Sequence, residues 1–533
     1  MTAAGTTQDG LVRSRQLVLG EMLSRVARAY PDKTAVIFED ESLTYSQLNS
    51  RVNRLAHALA KRGVGRGDKV AVLMFNRLQV VESYFACQKL GACPVPVNFR
   101  LVDAEIAFIL ENSDSVAVLV DAELEQLARD SVAASPDIRF ALTLGNHRDR
   151  LFEGFEEAIS ASSDEEPEAD VSQDDLAFLM YTSGTTGRPK GAMLTHQNLM
   201  ANTINWTIEM EAGHDDVWLS GLPLFHIGGV NGVLPFIFLG GTCVITPSTN
   251  FDAASSLRDL ARYEVTMCYF VPTQWQQICS LPETADIDTS RLRKALWGAS
   301  QAPKSTLELL VSTFPSVGIV NAFGQTEMSS NTTFLKPADA VRKMGSVGKP
   351  AVNVEVRVVD EDMHDVGPGE IGEIVYRGWT VMKGYYKNPE ATAEAFDGGW
   401  FHSGDLVTFD DEGFITVVDR KKDMIISGGE NVYPAEVERV LDAHPAVAEV
   451  TVIGVSHPKW VETPVAIVVP AQEVADASSL ESELIEHARA HLASYKKPSR
   501  VVFVSELPRN AAGKILRREL RDTYANLFPE GSM

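Results

Sequence analysis

The segment with the clearest chemical character runs from Leu176 to Gly191, LAFLMYTSGTTGRPKG, where an apolar stretch leads into a turn of Ser, Thr and Gly. Glycines let backbone N–H groups approach an anion, the hydroxyls add donors, and Lys190 adds positive charge. This composition is typical of a loop that holds phosphate groups. The spacing GxxGxxKG differs from the GxxxxGK[ST] of a Walker A loop, so a phosphate loop of another kind is predicted.

Other chemistry-bearing residues lack the spacing of a metal site. The 11 histidines form no HxH or HExxH pattern, and the 5 cysteines form no CxxC. A zinc site is therefore not predicted, and the cysteines are expected to be reduced thiols, as in a cytoplasmic protein.

The composition of the 533-residue chain bounds its partners. A formal net charge of -24 disfavours general binding to nucleic acid or anionic lipid, although a local nest can still hold an anion. The N-terminus has no apolar signal-peptide core, and the most apolar stretch, Val230 to Ile245, is short and interrupted by glycine and proline. No membrane-spanning segment is predicted, while a peripheral membrane contact stays open.

The elements that must position the loop alternate between helix and strand. Residues 43–63 have apolar side chains at helical spacing, residues 69–74 read as a buried strand, and helix 80–90 and strand 93–97 follow. This alternation predicts parallel βαβ units. The acidic run at 162–175 is expected to be a solvated surface loop.

The pattern changes twice further along the chain. Short β segments separated by Gly and Pro fill residues 345–419, a charged joint follows at 420–423, and a compact α/β unit completes the chain. The predicted fold class is α/β. A large N-terminal domain of α/β layers (1–419) includes the small β-rich subdomain, and a hinge (420–423) precedes a small mobile α+β domain (424–533).

Six further segments accompany TSGTTGRPKG in the chain. They are PLFHIGG (223–229), WGAS (297–300), NAFGQTE (321–327), GWFHSGD (399–405), VVDRKKDMIISGGENVYPAEVE (417–438) and LPRNAAGKILRREL (507–520). In this order they resemble the motifs of the adenylate-forming superfamily, which contains acyl-CoA synthetases, peptide-synthetase adenylation domains and beetle-type luciferases. The likeness covers about residues 20–525 and is greatest to actinobacterial fatty-acyl-CoA ligases.

The resemblance implies two half-reactions with ATP, Mg²⁺ and coenzyme A. A carboxylic acid attacks the α-phosphate of ATP to give acyl-AMP and pyrophosphate, and the CoA thiol then displaces AMP. Because the first step brings anions together, the protein must screen charge and align the attack.

The resemblance also assigns roles to residues of the first half-reaction. Lys514 would neutralise the carboxylate and α-phosphate, Thr326 would bond the α-phosphate, and Glu327 would hold Mg²⁺. The residues that would hold the β- and γ-phosphates are Thr182, Ser183, Gly184, Thr185, Thr186, Gly187 and Lys190.

The remaining roles concern adenosine, CoA and the hinge. Phe323 would stack on adenine, Asp405 would accept the ribose hydroxyls, and Arg420 would donate to the ribose side of AMP. Lys422 would be the hinge residue. The other implied contacts are Gly298, Ala299, Ser300, Gly324 and Gln325 at the nucleotide, and Gly428 and Gly429 along the pantetheine path.

The acyl group is the least determined part of the prediction. His226 would contact the carboxylate or gate the channel, and the absence of an acid in PLFHIGG disfavours an amino-acid substrate. Space beside Gly228, Gly229 and Gly232 favours a medium- to long-chain fatty acid. An aromatic acid ranks second, with Trp297 and Trp275 closing the pocket.

Three other functions are alternatives to CoA ligation. They are an acyl-AMP ligase that loads a carrier protein, a luciferase-like oxidase and a catalytically inactive binder; intact Lys514, Glu327 and Lys190 disfavour the last. A homodimer is left open. The chain departs from its relatives at Ile426, where many carry Lys, and at Val461, where Gly is usual.

Overall fold

The structure, a computed structural model, describes residues 15–146, 148–182, 189–249, 251–298, 302–427, 430–458, 460–474, 476–509 and 515–528. The α-helices of these ranges are α1 Leu19–Ala29, α2 Tyr45–Lys61, α3 Leu78–Leu90, α4 Asp103–Asn112, α5 Glu125–Ala133, α6 Phe155–Ser160, α7 His196–Met210, α8 Ile227–Leu239, α9 Ala253–Arg262, α10 Pro272–Cys279, α11 Lys304–Thr313, α12 Pro337–Ala340, α13 Pro389–Ala395, α14 Pro434–Asp442, α15 Ala477–His491 and α16 Arg517–Tyr524.

The β-strands are likewise numbered in chain order. They are β1 Thr34–Phe38, β2 Glu41–Thr44, β3 Lys69–Leu73, β4 Cys93–Pro96, β5 Ser115–Val120, β6 Phe140–Thr143, β7 Phe152–Gly154, β8 Leu176–Thr182, β9 Lys190–Thr195, β10 Val217–Ser220, β11 Thr242–Ile245, β12 Met267–Tyr269, β13 Lys294–Gly298, β14 Gly318–Gln325, β15 Ser330–Leu335, β16 Lys349–Pro350, β17 Val354–Val359, β18 Gly372–Gly378, β19 Phe401–Phe409, β20 Ile415–Arg420, β21 Ile425–Ser427, β22 Glu430–Val432, β23 Val447–His457, β24 Val461–Pro470 and β25 Arg500–Phe503.

Helix α2 shows why the local predictions succeed. Thr44 caps its N-terminus by accepting from the backbone N–H of Gln47, whose side chain accepts from Thr44 N–H in return. The apolar face that the spacing predicted, with Leu48 and Val52 among its members, is fully buried.

The first βαβ units form a five-stranded parallel sheet in the order β4-β3-β5-β6-β7. Strand β3 reads Lys69–Leu73 and α3 begins at Leu78, within two residues of the predicted bounds. Both the alternation and the parallel pairing predicted from the sequence are therefore confirmed.

A second sheet of nine strands has the order β16-β15-β14-β13-β12-β10-β11-β1-β2. Its centre, from β14 to β1, is parallel, and antiparallel strands lie at each edge. Parallel strands share one carboxyl edge, so the ends of β13 and β14 bring Gly298 and the segment Phe323–Gln325 to the same side of this sheet.

The acidic run after α6 is more than a solvated loop. Its Glu166 accepts hydrogen bonds from Ser24 and Asn49 and forms an ion pair of 2.6 Å with Lys89. Lys89, on α3, is buried. The carboxylate of Glu166 offsets the cost of burying its ammonium group. Glu168 is exposed, as predicted. Glu166, in contrast, connects the run to helices α1, α2 and α3 through these contacts.

The chain divides into two compact units, one of residues 1–356 and 376–401, the other of residues 357–375 and 402–533. In the second unit, β19 and β20 pair antiparallel. A further sheet has the order β22-β21-β24-β23 with β25 parallel to β24, and α14, α15 and α16 accompany it. Among the residues that the structure describes, no helix is long and apolar enough to cross a membrane.

Candidate active site

The phosphate loop predicted from the sequence joins two paired strands. Strands β8 and β9 are antiparallel, and Thr182 lies directly opposite Lys190. The Thr182 hydroxyl also donates to the Lys190 carbonyl at 3.4 Å. The ends of the loop are thus held together; Ser183, Gly184, Thr185, Thr186 and Gly187 lie outside the described residues.

Glu327 lies beside this hairpin, in a 3₁₀ turn that follows β14. One of its carboxylate oxygens accepts a hydrogen bond of 2.9 Å from the Tyr385 hydroxyl, and its backbone carbonyl accepts from Met382 N–H at 2.8 Å. The Lys190 ammonium lies 5.1 Å from the centroid of the Tyr385 ring. A carboxylate and an ammonium are therefore placed around one aromatic side chain.

These groups fit a nucleotide-bound Mg²⁺. No cluster of three or more His, Cys, Asp or Glu side chains that could hold a metal occurs within the described ranges. Mg²⁺ is usually bound by one or two carboxylates together with substrate phosphates and water, so the single carboxylate of Glu327 beside a phosphate-type loop suits it.

The end of β14 carries the other predicted nucleotide contacts. A side chain at Gly324 would stand 1.7 Å from the Ser330 carbonyl oxygen, and one at Gly298 would stand 2.3 Å from that of Ala322. Both positions therefore require glycine. Phe323 is half-buried, and the Gln325 amide nitrogen is buried without a hydrogen-bond partner, which leaves it able to donate to a ligand.

Thr326 follows directly and begins the 3₁₀ turn, where its carbonyl accepts from Ser329 N–H at 3.0 Å. This turn sets Thr326 and Glu327 side by side. Ala299 and Ser300, predicted to border the adenine, lie outside the described residues.

His226 occupies the N-cap position of α8 without a side-chain capping hydrogen bond, and its ring lies against Phe225 with centroids 4.4 Å apart. Its Nε2 atom is buried without a hydrogen-bond partner. Burial, with a smaller contribution from the positive charge of Arg100, lowers the pKa of His226 to about 4. The imidazole is therefore neutral at physiological pH and offers one unpaired ring nitrogen.

The α8 glycines do not all leave open space. A side chain at Gly229 would stand 2.2 Å from the Pro223 carbonyl oxygen, and one at Gly232 would stand 2.7 Å from the indole nitrogen of Trp218. These two glycines permit close packing, and the expectation that they leave room for an alkyl chain was wrong. Beside Gly228, the nearest atom is the end of the Leu222 side chain at 3.0 Å.

The two tryptophans proposed to close the pocket are both fully buried. Trp275 donates from its indole nitrogen to the Leu296 carbonyl at 2.8 Å and packs edge-on against Phe270. Its contacts are those of a core residue. Trp218, in contrast, lies against α8, where its ring stacks on that of Phe236.

In the second unit, the predicted ribose ligands pair with each other. Arg420 Nε lies 2.7 Å from Asp405 Oδ1, and the Asp405 carboxylate is almost fully buried. Residues 405 and 420 are also cross-strand partners in β19 and β20. The guanidinium thus pairs with the buried carboxylate and fixes its orientation.

The residues around Lys422 have different anchors. Lys421 forms an ion pair of 3.0 Å with Glu373, whereas Asp423 is buried and bonded by Arg517 and Arg521 of α16. These cations lower the pKa of Asp423 in spite of its burial. Lys422 itself forms no ion pair with any residue in the described part of the chain, and its pKa is lowered by burial.

Two departures from the family pattern lie next to one another in this unit. Val461 pairs with Ser427, the residue after Ile426. Ile426 and Val461 are exposed, and Val461 has a φ of 68°. This backbone region strains a β-branched residue. Gly428, Gly429 and Lys514 lie outside the described residues.

Tyr385 is the site residue that sequence reasoning missed. It lies 58 residues beyond Glu327 in the segment GYYKNPE, and no local periodicity places it near the phosphate loop. Only the tertiary structure brings this segment against β9.

Comparison with known proteins identifies the family. The AMP-binding enzyme family matches residues 23–386, and the AMP-binding enzyme C-terminal domain matches residues 436–514. Feruloyl-CoA synthase of Amycolatopsis sp is 42% identical over 95% of this chain and 99% of that protein. Long-chain-fatty-acid–CoA ligase FadD13 of Mycobacterium tuberculosis is 35% identical over 96% of this chain and 99% of that protein.

A solved structure agrees with these matches. The o-succinylbenzoate coenzyme A synthetase of Bacillus subtilis, in complex with ATP and magnesium ion, has a TM-score of 0.83 and 34% identity, covering 94% of this chain and 99% of that chain. The chain belongs to the AMP-binding enzyme family. It is an AMP-forming acid–thiol ligase, a class that uses ATP with Mg²⁺ and CoA, so the predicted fold and enzyme classes are confirmed.

Proposed function

We propose that this ligase activates an aromatic carboxylic acid and transfers it to coenzyme A. The observation that supports this proposal most directly is that the Trp218 indole fills the space beside Gly232. An alkyl tunnel along this face of α8 is thereby obstructed, which favours a compact ring over a long chain. The 42% identity to a feruloyl-CoA synthase supports the same substrate class.

The first half-reaction depends on charge screening. Glu327 holds Mg²⁺, Thr326 bonds the α-phosphate, and Thr182, Lys190 and the loop between them hold the β- and γ-phosphates. Lys514 neutralises the carboxylate and α-phosphate in the adenylation transition state. Support comes from the convergence of Glu327 and Lys190 on Tyr385.

The nucleotide and acyl groups are bound by side chains that already have defined geometry. Phe323 stacks on adenine, Asp405 accepts the ribose hydroxyls, and Arg420 both orients Asp405 and donates to the ribose side of AMP. The backbone of Gly298, Ala299, Ser300, Gly324 and Gln325 borders the nucleotide. Neutral His226 donates to, or accepts from, the acyl carboxyl region.

For the second half-reaction, we propose a hinge at residues 420–423 between an N-terminal domain, 1–419, and a mobile C-terminal domain, 424–533. Lys421 is anchored by Glu373 and Asp423 by α16, so Lys422 is the residue between two different anchors. Rotation of the C-terminal domain about this hinge would move Lys514 away from the acyl-AMP. The same rotation would bring the pantetheine path at Gly428 and Gly429 to it.

The cellular setting is proposed on chemical grounds. All five cysteines are free thiols, four of them buried, which suits a reducing cytoplasm where ATP and CoA are supplied. A homodimer is consistent with the chemistry but is not required by it, because each chain carries every residue assigned above.

A fatty acid is the second candidate, favoured by a different observation. A small apolar cavity lies between α3 and α8, lined by Val81, Tyr84, Phe85, Phe178, Val230 and Val233 together with Gln88, Leu224 and Leu234. This lining suits alkyl groups, but the cavity is small, so a long chain would have to displace side chains to enter it; FadD13 is a long-chain relative.

A pyrophosphate-release screen tests the substrate class. The acids are C2–C18 alkanoates, cinnamates and benzoates, each with and without CoA, and thioester is measured separately. We expect the highest kcat/KM with an aromatic acid and one CoA consumed per pyrophosphate. Greatest activity on C8–C18 acids would replace the aromatic proposal, and pyrophosphate without thioester would indicate carrier-protein loading.

A further inference from the structure

Tyr385 contacts both halves of the proposed Mg²⁺–ATP site. Its hydroxyl donates to Glu327 Oε1 at 2.9 Å, and its ring faces the Lys190 ammonium at 5.1 Å. Each contact uses a different part of the side chain, so the two can be separated by substitution.

The hydroxyl contact defines the orientation of the carboxylate. With Oε1 accepting from Tyr385, Oε2 of Glu327 has no hydrogen-bond partner among the described residues. A donor on one oxygen fixes the carboxylate torsion and leaves the other oxygen for a hard cation. The carboxylate is therefore oriented before a metal arrives.

The ring contact defines the position of the ammonium. Lys190 is the first residue of β9, and its long side chain has many rotamers to lose on ordering. An aromatic face attracts an ammonium and restricts where it rests. The Tyr385 ring thus selects the rotamers of Lys190 that remain near the loop.

The backbone around Tyr385 is fixed to both partners. Tyr385 forms a bridge with Ala192 of β9, and Tyr386 N–H donates to the Gly191 carbonyl at 2.8 Å. Met382 N–H donates to the Glu327 carbonyl at 2.8 Å. The segment 382–386 therefore connects the strand that carries Lys190 to the turn that carries Glu327.

We propose that Tyr385 is a positioning residue that holds the Mg²⁺-binding carboxylate of Glu327 and the phosphate-binding ammonium of Lys190 in one arrangement, so that metal and nucleotide bind as a linked pair. This inference rests on the proposed roles of those two residues. Tyr385 touches neither reacting atom in this scheme and acts through its two neighbours.

The neighbouring tyrosine provides a matched control. The Tyr386 hydroxyl also donates to a carboxylate, that of Asp114 at 2.7 Å, and its ring also faces a lysine, Lys69, at 5.0 Å. Tyr386→Phe removes the same kind of hydrogen bond one residue away without altering Glu327 or Lys190.

The test measures binding of α,β-methylene-ATP by calorimetry across a Mg²⁺ titration, together with thermal unfolding of each unliganded variant. We expect Tyr385→Phe to raise the Mg²⁺ concentration for half-maximal binding about 10-fold, the scale seen when a group that orients a metal ligand is removed. Metal-free nucleotide binding should change little, because the ring remains. Tyr385→Leu should weaken both the Mg²⁺-dependent and the metal-free binding of the nucleotide. Tyr386→Phe should change neither.

Three results would overturn the inference. They are a wild-type Mg²⁺ midpoint in Tyr385→Phe, an equal shift in Tyr386→Phe, and unaltered metal-free binding in a folded Tyr385→Leu. Failure of the underlying function would look different, because the wild-type protein would then bind the nucleotide without any dependence on Mg²⁺. Tyr385→Phe keeps the ring and decides the question even if Tyr385→Leu fails to fold.

Discussion

Burial decides the charge of His226. Its ring lies against Phe225, and the positive charge of Arg100 adds to the desolvation that disfavours an imidazolium. The residue can orient an acyl carboxyl group through a hydrogen bond, but it cannot neutralise it. Screening of that charge must come from cations and Mg²⁺, which is why Lys514 and Glu327 are the residues on which the proposed chemistry depends.

The first prediction concerns pH. Because the pKa of His226 is about 4 in the folded protein, against 6.5 for an ordinary histidine, it stays neutral above pH 5.5. We expect wild type and His226→Gln to have kcat/KM profiles of the same shape between pH 5.5 and 9. An ionisation near 6.5 that disappears in the variant would contradict this.

The same group has a defined effect on stability. Its depressed pKa means that its favourable contribution is complete above pH 6.5 and is lost as pH falls towards 4, because the unfolded chain binds the proton first. Over that window, wild type should lose free energy of unfolding relative to His226→Gln. Urea unfolding at pH 7.5 and 5 measures the difference.

Val461 is a second residue whose effect is local, because its backbone conformation lowers the free energy of unfolding. Its φ of 68° places a β-branched side chain in the left-handed region, and the side chain is 73% exposed, so little packing compensates. Val461→Gly should raise the free energy of unfolding by roughly 1 kcal/mol, the cost of one strained residue less the entropy of a new glycine.

The control for this prediction is Val341→Gly. Val341 is also exposed but has an ordinary φ of -78°, so glycine there should destabilise by roughly 0.5–1 kcal/mol. Urea unfolding of both variants is the measurement. Loss of stability in both would show that Val461 is not strained in solution.

At the scale of elements, the acidic run after α6 shows how sequence and structure differ. Its composition is that of a solvated loop, and half of its residues are exposed. Yet one of them, Glu166, meets Lys89, which α3 buries between Ser24 and Asn53. The run therefore closes over the helices α1, α2 and α3 and neutralises a buried ammonium.

Glu166→Gln tests this role. Removing one partner leaves Lys89 buried without a counter-charge, and because Glu166 is about half exposed we expect a loss of roughly 2 kcal/mol rather than the full cost of a buried pair. Glu168→Gln, two residues away and exposed, should change stability by less than about 0.5 kcal/mol.

The loss in Glu166→Gln should depend on pH in a defined direction. Hydrogen bonds from Asn49 and Lys89 outweigh partial burial and lower the pKa of Glu166 to about 2, against 4.5 normally. Its contribution is therefore complete above pH 4.5 and lost as pH falls towards 2. A variant as stable as wild type at pH 7 would show that the contact is not formed in solution.

At the scale of the whole molecule, one chain must perform two reactions with different needs. Adenylation needs a cation at the attacked phosphate, and thiolation needs an open path for the thiol. In the proposed scheme the chain changes direction between the two at Lys422, whose neighbours Lys421 and Asp423 are held by different partners.

Lys514→Gln separates the two reactions. Removing the ammonium should lower pyrophosphate release by about 100-fold or more, as for loss of one group that stabilises transition-state charge. Conversion of a supplied acyl-AMP and CoA to thioester should stay within about threefold of wild type. Lys497→Gln is the control, and equal loss of both half-reactions would contradict the separation.

Local patterns were sufficient for most elements, because they arise from neighbours in the chain. Helix α2 follows from its Thr44 cap and apolar spacing, and the parallel sheet from strand and helix alternation. The residues of the phosphate loop, Glu327 and Asp405 could be assigned roles from the sequence because their motifs are contiguous. The size of the substrate could not be predicted in this way, because the space beside Gly232 is filled by Trp218, which belongs to strand β10.

The sequence by itself determined the reaction class, since short motifs with fixed order carry the groups that ATP, Mg²⁺ and CoA require. Only the tertiary structure decided that Tyr385 joins Glu327 to Lys190, that Glu166 neutralises Lys89, and that His226 is neutral. The physical reason is common to all three. Hydrogen bonding, ion pairing and desolvation depend on distances between residues far apart in the chain, and those distances exist only after folding.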